Sequence, residues 1–498
     1  MHHKNIKLIV KKQLKKVYPN WQRMNKKEKK RIAKMVLEEA VKDYDFEQEV
    51  TESMEELLGI EEQVRPSGIM NIDEMSAFIK DHMESKLIRI NRYDRSSIYI
   101  KDEELRFVDK LLDDEIINKL LSYRGYTPSM REIFPSQLFR AELLKAIKYP
   151  EISYRKFCTE AYIGMDRKEN RVFIGLPLHR KEMIDHTELS KFRAKLSFSH
   201  LANILVYILH YFYQSDLLGK GTLHGIDSTE LASDCRIPLA SIKINGKKIR
   251  IYNDIDCDSG KRRNKRDKSV YVVGYRLHTL TAINAETGHS YPLVSMLAPA
   301  NHHDSNFLKP LIHLAQAIGI EVKLITADEA YHDKDGSLFE ETGARLITPK
   351  PSGTSLPENV DEETMSVTYD DMCEIPMEYM GSVEEGHEFK CCAEKGKCPN
   401  SGTCPQFRII PFDRGYFQRI FHGNVHAQQA VDIRKNSERP FNLLKNQTGL
   451  EQVRVRSQHG LLARSIFSTI GTLLLEMAGT RKKKKPDNRQ AKLFEIAA

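Results

Sequence analysis

The spacing of apolar residues changes character at Gly219-Lys220-Gly221, and this change limits the fold more than any other feature of the chain. Before it, apolar residues recur at helical intervals. After it, short apolar runs are bounded by Gly, Pro and Asn. A chain divided this way builds helices first and a sheet second. At 498 residues it also exceeds what one core usually encloses, so several structural units are expected.

The helical part reads as two regions. In residues 1–134, Ile6, Val10 and Leu14, then Ile32, Met35 and Val36, define amphipathic helices with lysine-rich outer faces, suited to DNA phosphates or simply to solvent. Residues 71–114 carry no motif. In residues 135–218, Ala141, Leu143, Leu144 and Ile147 line one helix, and Tyr154, Phe157 and Cys158 mark another. Asp185 and Glu188 form a capping box for a helix through Leu189, Phe192 and Leu196. That helix also projects Lys191, Arg193 and Lys195, which fits a helix-turn-helix-like DNA contact or a plain helical bundle.

Beyond Gly221, strands are expected at 223–227, 270–283, 290–297 and 322–328, with a basic loop at 261–268 and a helix at 304–318. The fold class is α/β, a mixed sheet with flanking helices. Residues 349–412 lose this pattern among Pro, Gly, Glu and cysteines, and helical periodicity resumes from Val425 to Gly479. Residues 219–348 and 413–480 are therefore read as one domain interrupted by an insertion, with a basic tail at 481–498.

Asp227 and Asp328 each close an apolar run, where a sheet gives way to loops. Either one alone reads as a turn or capping residue. Between 431 and 445, Val431, Arg434, Glu438, Asn442 and Lys445 recur at helical steps, which puts Arg434, Glu438 and Lys445 on one helix face. A surface salt-bridge row has the same pattern. Pro440 predicts a kink, or a helix beginning near Ser437. Three carboxylates supply the hard oxygen donors that divalent ions prefer, and such ions cut and join phosphodiesters.

These residues resemble the DDE transposases of bacterial insertion sequences, in the branch with a Tyr-Arg-Glu-Lys signature. Arg434, Glu438 and Lys445 match its spacing, and Val431 stands where the family has tyrosine. Val273-Gly274-Tyr275-Arg276-Leu277-His278 and Ala300-Asn301-His302-His303-Asp304 resemble family strands between the first two aspartates, and residues 185–193 resemble the segment before the catalytic domain. The resemblance covers about residues 140–350 and 425–480. It implies a ribonuclease-H-like catalytic fold with an insertion before the last glutamate. It also implies that Asp227, Asp328 and Glu438 hold two Mg2+ or Mn2+ ions and that Arg434 and Lys445 contact transposon-end phosphates. The implied enzyme cleaves double-stranded DNA at its element's terminal repeats and joins the freed 3′-hydroxyl to target DNA, as a homodimer or larger oligomer. A ribonuclease-H-like nuclease without strand transfer, and a transposase-derived DNA-binding protein with an idle triad, are the alternatives.

Of eight cysteines, Cys391, Cys392, Cys398 and Cys404 fall in one short segment, with His387 just upstream. They read as a structural Zn2+ site stapling an insertion too polar to form its own core, or as reduced cysteines. His302 and His303 read as flanking a helix capped by Asp304. A net charge of +8 suits a phosphate-bearing partner and suits ordinary surface lysines as well. With no apolar run of roughly 18 residues and no signal pattern after Met1, a cytoplasmic, nucleoid-associated protein without a membrane partner is expected.

Overall fold

The computed structural model describes residues 2–42, 63, 67–86, 99–122, 133–163, 166–178, 184–218, 222–244, 247–263, 269–284, 286–349, 355–361, 366–369, 373, 375–393, 406–413, 417–423, 425–450 and 455–479. Gly219–Gly221, residues 264–268 of the basic loop, and the tail at 481–485 lie outside them.

From Gly460 to Glu476, every residue of the helix Gln458–Met477 is buried. A mainly apolar helix buried all round must be covered on all sides. Helices Pro135–Ile147, His186–Lys195 and Phe198–Gln214 cover part of it, and the strand Ser290–Pro299 covers another part. Phe467 stands 5.8 Å from Phe139 and 6.3 Å from Phe192, ring to ring. Among the described residues this is the one helix long and apolar enough to cross a bilayer, which corrects the expectation that no stretch has that length. Here it is the core that joins the helical half of the chain to the sheet.

The strands are β1 (Thr222–Ala232), β2 (Ala240–Ile244), β3 (Lys247–Ile251), β4 (Asp258–Arg263), β5 (Ser269–Asn284), β6 (Ser290–Pro299), β7 (Leu324–Ala327) and β8 (Arg345–Ile347). The main sheet runs β6-β5-β1-β7-β8, and β4 adds to the same edge of β5 as β6. β5 is antiparallel to β1, β4 and β6, whereas β7 is parallel to β1 and β8 to β7. Helix Leu308–Ala317 makes the crossover from β6 to β7. This is an α/β fold with a ribonuclease-H-like mixed sheet.

Three expectations change here. The first residues of the basic loop, 261–263, pair with β5 as part of β4. The expected helix from 304 starts as a 3-10 turn, Asp304–Phe307, capped by the His303 side chain, while Asp304 is buried against Arg276. The insertion does form a core: β9 (Met377–Ser382), β10 (Gly386–Cys391) and β11 (Phe407–Pro411) make an antiparallel sheet over Val367, Met377, Phe389, Ile410, Phe417 and Phe421.

The N-terminal helices His2–Val17 and Lys26–Lys42 bury Ile6, Val10, Leu14, Ile32 and Val36 against Ile249 and Ile251 of the β2–β3 hairpin, while Met35 points outward. Their lysines do not all face outward. Lys7 pairs with Asp258 and Lys15 with Asp256, and Lys11 Nζ donates to the Asp256 carbonyl at 3.1 Å.

The helix His186–Lys195 opens on the expected box: Asp185 N–H donates to Glu188 at 2.8 Å, and Thr187 N–H donates to Asp185 at 2.8 Å. Leu189, Phe192 and Arg193, at i, i+3 and i+4, form its packing face. Arg193 is therefore only 4% exposed, ion-paired with fully buried Glu142 and laid 4.3 Å over the Tyr154 ring. This corrects its assignment as a DNA contact, since the guanidinium has no open side; Lys191 on the same helix is exposed.

Removing one partner of a buried ion pair strands the other charge, at a cost of about 3–5 kcal/mol. Arg193→Ala should lower the chemical-denaturation midpoint accordingly, and wild-type stability in that variant would contradict a buried pair.

Candidate active site

β1 and β7 lie side by side in the register His224↔Ile325, Gly225↔Thr326, Ile226↔Ala327. β7 stops there and β1 continues to Ala232. Asp227 and Asp328 are the next residue on each strand, so the register sets them beside each other where β7 ends. Asp227 does not end its strand as expected; it sits mid-strand opposite Thr279 of β5, on a flank that the end of β7 leaves open. Side chains are buried from Leu223 through Ile226 and half-buried from Asp227 through Glu230. Asp227 accepts from Ser228 N–H at 2.7 Å. Asp328 caps the 3-10 turn Glu329–Tyr331, accepting from Ala330 N–H at 3.1 Å.

Glu438 arrives on a continuous helical path: α Val425–Ile433, 3-10 Arg434–Glu438, α Arg439–Asn442, then π Leu443–Gln447. As expected of Pro440, an α-helical segment opens near Ser437, at Arg439, with the proline in its first turn, and the path stays continuous because Ile433, Glu438, Arg439 and Asn442 all keep right-handed helical dihedrals. Pro440 has no N–H for the Asn436 carbonyl. That carbonyl instead accepts from Arg439 N–H, in 3-10 fashion, and from the Ser290 hydroxyl at 2.6 Å.

Tightening to about three residues per turn aligns residue 434 with 437 instead of 438. Arg434, Glu438 and Lys445 are thus not the single row that α-helical spacing predicts. Glu438 is exposed, and Arg434 and Lys445 are half-buried, the latter in the π turn.

Ser437 is fully buried and packs on Gly225. A Cβ on Gly225 would stand 2.7 Å from Ser437 Cβ, closer than carbon atoms approach, so the glycine sets how near the Glu438 segment comes to β1. Arg439 Nη1 adds a 2.9 Å bond to the Gly288 carbonyl. Sequence reasoning missed this contact. A glycine inside an apolar strand, often a mark of close backbone approach, was the signal that could have found it.

Asp227 lies within electrostatic reach of the other two carboxylates. Burial, then the charges of Asp328 and Glu438, push Asp227 up to about 7, against the Ser228 amide and Arg434. Burial and Asp304 also raise Asp328, against Arg434 and Arg276. Asp227, Asp328 and Glu438 are the residues here that could hold hard divalent ions. Among the described residues no three such side chains stand tightly enough to enclose an ion, so exposed Glu438 would have to swing inward.

The cysteine segment is seen in part, since Cys398 and Cys404 lie outside the described residues. Cys391 ends β10 half-buried and Cys392 is exposed beyond it. As successive residues leaving a strand they tend toward opposite faces. His387 is not turned toward them. It is buried, with Nε2 against the Gln418 carbonyl and Nδ1 3.0 Å from Ser382 Oγ, so both ring nitrogens are engaged.

No family model and no curated protein matches this chain. Among solved structures it is similar to a cryo-EM structure of the piggyBac transposase synaptic complex with hairpin DNA, at 12% identity and a TM-score of 0.30, over 81% of this chain and 78% of that one. Overlap that loose decides neither fold nor chemistry, which rest on the strand order and the carboxylates.

Overpacking a tight contact costs about 1–3 kcal/mol. Gly225→Ala should destabilise the protein by that much, and adding Ser437→Gly should recover most of it. Additive losses in a double-mutant cycle would show that the two residues do not press on each other.

Proposed function

We propose that this chain is a DDE-type DNA transposase, cleaving double-stranded DNA at an element's terminal repeats and joining the freed 3′ end to target DNA. The observation that carries the reading is the placement of Asp227 and Asp328 side by side past the end of β7, with the Glu438 segment pressed onto β1 at Gly225.

Two Mg2+ or Mn2+ ions held by Asp227, Asp328 and Glu438 would activate the attacking oxygen and stabilise the leaving one. Around them the chain's own groups divide the work. Arg434, which lowers both aspartates, would offset their charge and take a phosphate oxygen of the scissile strand. Lys445 and exposed Lys191 would bind phosphates farther along the duplex. Two DNA ends must be brought to one target, which suits a homodimer or larger oligomer.

Asp227→Asn, Asp328→Asn and Glu438→Gln should each slow cleavage of end-containing DNA about a thousandfold, or about 4 kcal/mol of barrier, while duplex affinity is retained. Full activity in all three variants would refute the enzyme. Cleavage by the wild-type protein without joining to target DNA would mark a nuclease.

A further inference from the structure

Two of the segments that resemble family strands, 273–278 and 300–304, meet in a buried polar layer beneath the carboxylates. Residues directly opposite across β1 and β5 share a sheet face. The pairs Gly225↔Thr281 and Asp227↔Thr279 lie on the face that takes the Glu438 segment. The pairs Ser228↔His278 and Glu230↔Arg276 lie on the other.

On that second face, Tyr331 is fully buried, with its hydroxyl 2.7 Å from His278 Nδ1, and His278 pairs across the sheet with Ser228, the residue after Asp227. His278 is itself fully buried and stacks on Phe307, with ring centres 3.8 Å apart. Asp304 lies 3.8 Å from His278 Nδ1 and accepts from Arg276 at 2.6 Å, and Arg276 reaches Glu230 at 3.6 Å. Tyr331 closes the same short 3-10 turn that Asp328 caps. One phenol therefore ties the turn carrying Asp328 to His278 of β5, which pairs with Ser228 beside Asp227, from the side opposite Glu438.

We propose that Tyr331, held by His278, is a positioning residue that fixes the direction of the Asp328 carboxylate relative to Asp227, so that the pair can share a divalent ion. This rests on the reading of those carboxylates as metal-holding. Partners that orient metal ligands typically contribute 10- to 100-fold in metal affinity, about what loss of one such hydrogen bond should remove here.

The test uses full-length protein without DNA, titrated with Mn2+ and followed by loss of the free-ion electron paramagnetic resonance signal. Tyr331→Phe should bind Mn2+ about 10- to 100-fold more weakly. Its melting temperature should stay near wild type. In the cleavage assay, the Mn2+ concentration giving half-maximal rate should rise by a similar factor, with the plateau rate at saturating metal little changed. Wild-type binding that Tyr331→Phe leaves unaltered overturns the positioning role alone. If the wild-type protein and Asp227→Asn both fail to bind Mn2+, the metal-holding reading falls and this inference falls with it.

Discussion

The approach of the Glu438 segment to β1 is limited by a single missing side chain. Gly225 leaves room for Ser437, and the carboxylate one residue on is carried to the sheet by that contact. The other restraints hold the segment's backbone: the Ser290 hydroxyl on the Asn436 carbonyl, and Arg439 on the Gly288 carbonyl. Farther along, Arg464 of the central helix donates to the Thr448 carbonyl at 2.7 Å, just past the π turn. Glu438 is delivered by bonds that do not involve its carboxylate, so that group stays available for other chemistry.

The sheet then divides the labour between its faces. One takes Gly225, Asp227 and the incoming helical segment, and the other takes buried Tyr331, His278 and Asp304 with half-buried Arg276 and Glu230. Charges buried in such a layer persist only when paired, and the Arg276–Asp304 bond meets that condition. Asp328 sits between the layers, raised by Asp304 and lowered by Arg434 and Arg276. Its environment is set by residues from three other stretches of chain.

Much of the sheet was legible because its strands are long or apolar. β5 and β6 start within a residue of their expected positions, and β6 is buried along its whole length, as a continuous apolar run requires. The β2–β3 hairpin and the β9–β11 sheet were not legible. Their strands are five or six residues long with charged residues throughout, so their cores come from pairings that a period-two pattern does not announce. Lys7, Lys11 and Lys15 read as a solvated row for the same reason, since their partners lie well over two hundred residues away. Arg193 read as exposed because its partner, Glu142, belongs to another helix 51 residues earlier.

Local order in the chain was enough to determine the capping box at Asp185 and the principal strands. These depend on neighbours a few residues apart, where periodicity and capping act. Tertiary structure alone decided that Asp227 lies mid-strand, that Arg193 is buried, and that Gly225 admits Ser437. Each of these depends on what fills the space across a strand or helix, and that space is occupied by residues the local pattern does not contain.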